Sequence, residues 1–147
     1  VIVIVPPHPA AAHFDVEIGA SSVDTAMAVR DDHLRSEEFF DVERHPKISF
    51  RSEGAMVLTA GRYTVSGDLT IRGITQPVRL VVDVFGRAPD VQGNPRLGLK
   101  ATAKVQRAVW GIPWNAPVPG GGVALAEEVD LELDVSLVRA GPAAQAS

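Results

Sequence analysis

Three segments of this chain alternate apolar and polar residues with a strict period of two, a pattern that fits a β-strand and no helix. Tyr63, Val65, Gly67, Leu69 and Ile71 alternate with Thr64, Ser66, Asp68, Thr70 and Arg72. Leu97, Leu99, Ala101, Ala103 and Val105 do the same against Gly98, Lys100, Thr102 and Lys104, and Val129, Leu131, Leu133, Val135 and Leu137 against Asp130, Glu132, Asp134 and Ser136. Successive strand side chains point to opposite faces, so each segment has one buried and one wet face, as in an antiparallel sheet. Weaker strands run through Phe14, Val16 and Ile18, through Ile48 and Phe50, and through Val78, Leu80, Val82 and Val84. Pro6-Pro7, Gly54, Gly73, the stretch 86–93 and Gly120 to Gly122 are read as the turns between them. With no βαβ rhythm, the pattern predicts an all-β fold, an up-and-down antiparallel β-barrel. One stretch, AMAVRDDHLRSEE over 26–38, is rich in helix formers and predicts a short helical connection capped by Asp24 or Thr25. The domain is expected over 1–138, with 139–147 a loose tail that has no apolar periodicity.

Composition narrows the function. A chain of 147 residues supports one core. No apolar run approaches the roughly 18 residues that cross a bilayer, so no integral membrane association is expected. Val1 to Val5 is only strand-length and lacks the basic flank and cleavage site of a signal peptide. The chain has no cysteine, which removes disulfides, thiolate metal sites and cysteine nucleophiles but fits the cytoplasm and the periplasm or secretion alike. A net charge of −4 argues against nucleic acid as the main partner. Charge is also segregated: residues 62–107 hold eight Lys/Arg against three Asp/Glu, and residues 108–147 hold one against five. Pairing Arg96–Gln106 with Val129–Leu137 so that Val105 meets Val129 would set Lys104 against Asp130 and Lys100 against Asp134.

Little in the sequence resembles a catalytic or metal centre. His8 and His13 fit no common zinc spacing, and with His33 and His45 they read as surface residues. Asp31, Asp32, His33 and Ser36 share a helix but diverge around it, so they cannot converge as a triad; a solvated helix face is expected. The glycines at 120–122 lack the Lys-Ser/Thr of a phosphate loop, and Asp90-Val91-Gln92-Gly93 lacks the carboxylates of a calcium loop. No catalytic residue, metal or cofactor is therefore assigned. More informative is RAVWGIPWNAP, which places Trp110, Ile112 and Trp114 between two strands; Phe39-Phe40 stands beyond the helix. Such aromatics either line the mouth of a ligand cavity or plug the end of a core. Small inward residues, Gly67, Ala101 and Ala103, favour a cavity.

Three ordered blocks carry a resemblance. ASSVDTAMAVRDDHLRSEEFFDVERHPKISF from Ala20 to Phe50, GDLTIRGITQPV from Gly67 to Val78, and Trp114-Asn115 followed by Gly120 to Gly122 and Glu128 to Val138 resemble the YceI-like domain across nearly all of residues 1–138. The resemblance implies a bacterial, lipocalin-like barrel that binds a polyisoprenoid chain or an isoprenoid quinone in its interior, without turnover. It also implies two further strands before the segment matching Val1 to Val5. They are expected to be missing from this chain, so that either the strands lie upstream or a homodimer covers the edge. The sequence departs from the family pattern at Val109-Trp110-Gly111 and at Pro117 and Pro119, near the expected cavity mouth.

On that reading, Phe39, Phe40, Phe50, Val65, Leu69, Ile71, Leu80, Val82, Leu99, Ala101, Ala103, Trp110 and Ile112 are the candidate apolar lining. Arg35, Trp114 and Asn115 are the candidate headgroup contacts. Burying one five-carbon isoprene unit contributes roughly 3–4 kcal/mol at ~0.8 per carbon. The competing readings are a barrel filled by its own side chains, serving as an interaction module, and an enzyme acting on a lipid. The latter needs polar groups converging inside, such as a buried carboxylate–histidine pair.

Overall fold

In a computed structural model of the chain, residues 2–4 and 13–138 are described, the backbone alone for 2–4 and 56–58. Seven antiparallel strands follow one another in space as in sequence: β1 (Ile2–Ile4), β2 (His13–Gly19), β3 (Lys47–Thr59), β4 (Arg62–Ile71), β5 (Ile74–Pro89), β6 (Pro95–Gln106) and β7 (Glu128–Val138). Each pairs with the next, the up-and-down order the alternation predicts. Among the described residues no ladder joins β1 to β7, so the sheet curls into a barrel with an open seam. Residues 6–7 and 139–147, read as a turn and a tail, lie outside the described residues.

Register follows the side-chain chemistry. β6 and β7 pair with Val105 opposite Val129, Lys104 opposite Asp130 and Lys100 opposite Asp134, the expected alignment. The lysines also reach diagonally. Lys104 Nζ lies 2.8 Å from Asp130 and 3.1 Å from Glu128, and Lys100 Nζ lies 2.9 Å from Glu132 and 3.8 Å from Asp134. These carboxylates hold both ammonium groups above the usual lysine range.

Two expected turns are bulges instead. Gly54 lies inside β3, where the register with β4 shifts between Ser52 and Gly54, and Gly86 lies inside β5, where it shifts between Val84 and Gly86. An extra residue in one strand bends the sheet and increases its twist, which is how long strands close a barrel. The hairpins turn at Gly61, which the pattern does not mark, and at Arg72-Gly73 and 90–94, where the pattern does mark turns at Gly73 and over 86–93. Arg72 and Gly73 both have positive φ (55° and 71°), as a tight hairpin turn requires.

The helix is shorter than expected, α1 spanning Ala28–Arg35. Met27 occupies the cap position, and neither Asp24 nor Thr25 caps the helix. Asp24 Oδ1 accepts instead from the Ala26 N–H, turning the chain through Ala26 at φ 59°. Thr25 donates both its backbone N–H and its hydroxyl to Asp31. Those bonds, the hydroxyl foremost, hold the Asp31 carboxyl below its ordinary range, and Asp31 is buried, so this face of the helix is not solvated throughout.

Candidate ligand cavity

One end of the barrel gathers the ends of β2 and β4 with the beginnings of β3 and β7. Two connections cover it: residues 20–46, which contain α1, and residues 107–127, which begin with the 3-10 segment Arg107–Trp110. Trp110 closes the base of the second connection. It is 2% exposed and its indole Nε1–H donates to the Leu69 carbonyl at 3.0 Å, so the ring's one polar group is satisfied inside the core. Asn115 clasps the connection to itself. Its Nδ2 donates to the Leu125 carbonyl at 2.8 Å and its Oδ1 accepts from the Leu125 and Ala116 N–H groups, each at 3.0 Å.

Beneath these covers lies a cavity of about 630 Å³, a volume typical of small-molecule sites. Its floor and near wall are Phe50, Leu69, Ile71, Leu80, Trp110 and Ile112, while Leu34, Phe39 and Phe40 come from the helical connection. Val16 and Ile18 of β2 face Val129, Leu131 and Leu133 of β7, so the cavity runs along the open seam. The whole lining is apolar apart from Arg107, Glu128, Asp130 and Glu132. A concavity of similar volume, about 640 Å³, lies among outward residues of β2 to β5, but Asp15, Glu17, Arg51, Asp68 and Thr70 line it and make it a polar surface trough.

The candidate residues separate into three groups. Phe39, Phe40, Phe50, Leu69, Ile71, Leu80, Trp110 and Ile112 line the cavity. Val65, Val82, Leu99, Ala101 and Ala103 face the same interior but pack into the filled part of the core and line no cavity. Gly67 also gives no room: a Cβ there would fall 2.4 Å from the Arg51 carbonyl oxygen and 2.7 Å from the Phe50 ring. Gly67 thus accommodates the neighbouring strand and the Phe50 ring rather than a guest.

The third group, Arg35, Trp114 and Asn115, lies outside the cavity. Arg35 donates to the Ser21 and Val23 carbonyls and pairs with Asp32 at 3.2 Å. The Trp114 ring packs edge-on against His33, centroids 4.9 Å apart, and tilts against Phe39 at 5.3 Å. All three positions hold the covers in place.

His33 departs from the surface reading. Its ring sits between Phe39 and Trp114, and its Nε2 lies 2.6 Å from Glu38 Oε2. This is a carboxylate–histidine pair, but its side chains are 37% and 54% exposed and neither residue lines the cavity. Among the described residues no group of three or more His, Cys, Asp or Glu could hold a metal.

The sequence reading omitted Val16, Ile18, Leu131 and Leu133, although alternation had already turned them inward. It also omitted Arg107, which stands two residues after inward Val105 and so continues the inward phase beyond the strand.

Geometry and sequence now meet in the comparisons with known proteins. A model of the YceI-like domain matches residues 1–137. The chain belongs to the YceI-like family. A UPF0312 protein of Yersinia enterocolitica is 38% identical over 133 residues, covering 90% of this chain and 66% of its own length. Protein YceI of Escherichia coli O157:H7 is 34% identical over 132 residues, covering 90% of this chain and 65% of its own length. A UPF0312 protein of Pectobacterium atrosepticum is 38% identical over 99 residues, or 51% of its length, so the matches span half to two-thirds of these curated relatives.

Solved structures share the YceI-like fold at lower identity. The YceI protein of Campylobacter jejuni superposes with a TM-score of 0.78 at 22% identity, over 95% of this chain and 80% of that one. BcnA of Burkholderia cenocepacia gives 0.77 at 20%, over 92% and 81%.

Proposed function

We propose that this YceI-like chain is a non-catalytic binding or carrier protein that holds an isoprenoid or similarly apolar chain in the cavity along its seam. The observation that carries the reading is the cavity itself: about 630 Å³, walled almost wholly by aliphatic and aromatic side chains. Such a lining offers hydrocarbon a large transfer free energy and offers a polar guest few partners. Each five-carbon unit buried contributes roughly 3–4 kcal/mol, offset in part by ordering of the chain, so tail length is selected loosely. Catalysis is disfavoured by placement, since neither residue of the one carboxylate–histidine contact among the described residues lines the cavity.

Mass spectrometry of a solvent extract from freshly purified protein tests the reading. A stoichiometric isoprenoid or comparable hydrocarbon chain is the expected find. Protein that carries none, and that takes up no fluorescent isoprenoid when offered it, contradicts the reading and favours a filled interaction module. Leu131→Trp, which narrows the cavity from the β7 side, should weaken uptake about tenfold or more, equivalent to losing some two carbons' worth of burial.

A further inference from the structure

The cavity lining contains a single cation, Arg107, and its charge has no counter-ion within 4.0 Å among the described residues. Nε donates to the Ala126 carbonyl at 2.8 Å, and Nη1 donates to the carbonyls of Ile112 and Trp114, both at 2.7 Å. Carbonyl dipoles satisfy donors without cancelling a charge. A guanidinium has five N–H groups, and these three bonds leave the pair on Nη2 without a partner among the described residues.

Five other described arginines, Arg35, Arg44, Arg51, Arg62 and Arg96, each face a carboxylate oxygen within 3.4 Å. Arg72 is held by backbone carbonyls as Arg107 is, but neither it nor Arg30, Arg79 or Arg87 lines the cavity. No described carboxylate comes within 4.0 Å of Arg107. The acids bordering the cavity are engaged by lysines and not by Arg107, Glu128 and Asp130 sharing Lys104 while Glu132 shares Lys100 with Asp134. An unmatched charge beside apolar walls interacts more strongly with an anion than the same charge would in water. The three carbonyls also fix the guanidinium in advance, so little side-chain freedom is lost when a guest arrives.

We infer that Arg107 binds the polar end of the guest, and that this end is an anionic oxygen group, a phosphate or a carboxylate. This rests on the proposed apolar-chain site. It adds an orientation: the hydrocarbon lies against Leu69, Leu80 and Val105, and the head lies at the 107–127 connection. An anionic oxygen fits the free Nη2 best, because charge-assisted bonds to a guanidinium are shorter and about twice as strong as neutral ones. A chain of net charge −4 has no general attraction for anions, so a preference for them would be local.

The test compares farnesyl monophosphate with farnesol, each displacing a fluorescent apolar probe from the same protein. The phosphate should bind about tenfold tighter or more, the fold-change of a charged hydrogen bond. In Arg107→Met that preference should vanish while farnesol changes by less than about threefold. Because Arg107 also anchors its loop, the variant could misfold. The deciding measurement in that case is the Arg107 side-chain Nε–H resonance of the wild-type protein, which should shift with the phosphate and stay still with the alcohol. Equal affinities, a preference that survives in folded Arg107→Met, or a resonance unmoved by the phosphate would overturn the inference and leave the apolar site standing. Binding of neither compound would overturn both.

Discussion

The inner faces of β5 and β7 are written in the same chemistry and end in different surroundings. On β5, Val78, Leu80 and Val82 are buried; on β7, Leu131, Leu133, Val135 and Leu137 are only half-buried and Val129 is 37% exposed. The cause is neighbours. β5 lies between β4 and β6, whereas among the described residues β7 pairs with β6 alone. Alternation therefore tells which side chains face inward, and strand order tells how dry they become. The cavity sits where drying is incomplete, between β7 and β2.

That contrast can be tested by mutation, and the largest effect should come from the dry side. Trp110→Ala removes a buried ring and orphans the Leu69 carbonyl it bonds, and should cost about 3–5 kcal/mol in denaturant unfolding. Leu80→Ala should cost about 2–4 kcal/mol, and Leu133→Ala only about 1–2, because Leu80 is buried and Leu133 is only partly so. Equal costs at Leu80 and Leu133 would erase the distinction between the two faces.

A smaller effect probes close packing on the dry side. Gly67→Ala forces a methyl against the β3 backbone and the Phe50 ring and should cost about 1–3 kcal/mol. Phe50→Leu in the same molecule should restore only part of it, since the Arg51 carbonyl and Ser52 Cα do not move away with the ring.

The smallest effect is expected at the opposite end of the barrel, away from the cavity. Asp90 accepts from the Asn94 and Gln92 backbone N–H groups, each at 2.9 Å, and from Arg96 Nε at 3.0 Å. The Asn94 N–H above all, with the Asn94 side chain, Arg96 and Gln92, lowers its carboxyl to about 2 from 3.8. A depressed folded-state value stabilises above 3.8 and is lost as pH falls through about 2. Asp90→Asn should therefore lower the midpoint at neutral pH and converge with the wild type towards pH 2. Ligand affinity should not change, because Asp90 does not line the cavity.

Much of this architecture was legible in the sequence, for physical reasons that also mark where legibility stops. The β6–β7 pairing could be read because Lys100 and Lys104 stand on the wet face of one strand and Glu128, Asp130, Glu132 and Asp134 on the wet face of the other. A two-residue slip would also give both lysines acids, so the register itself rests on setting Val105 against Val129. Gly54 and Gly86 misled because glycine marks bulges as readily as turns, and only the partner strand decides between them. The headgroup candidates Arg35 and Asn115 are polar residues near a cavity mouth, but backbone carbonyls and N–H groups of their own connections claim them, and such bonds leave no trace in spacing. Small residues suggested a void, yet Gly67 is small because Phe50 lies over it. The cavity lies instead where β7, among the described residues, pairs on one side only, which no single strand's sequence reveals.

On the proposed function, an apolar chain occupies the space between β7 and β2. Methyl-labelled protein titrated with an isoprenoid alcohol tests it directly, by nuclear Overhauser contacts between ligand and side-chain methyls. Contacts are predicted to Ile18, Ile71, Leu131 and Leu133, which line the cavity, with none to Val65 or Leu99 in the filled core. Saturable binding whose contacts fall outside this set, or no contacts at all at millimolar ligand, would contradict it.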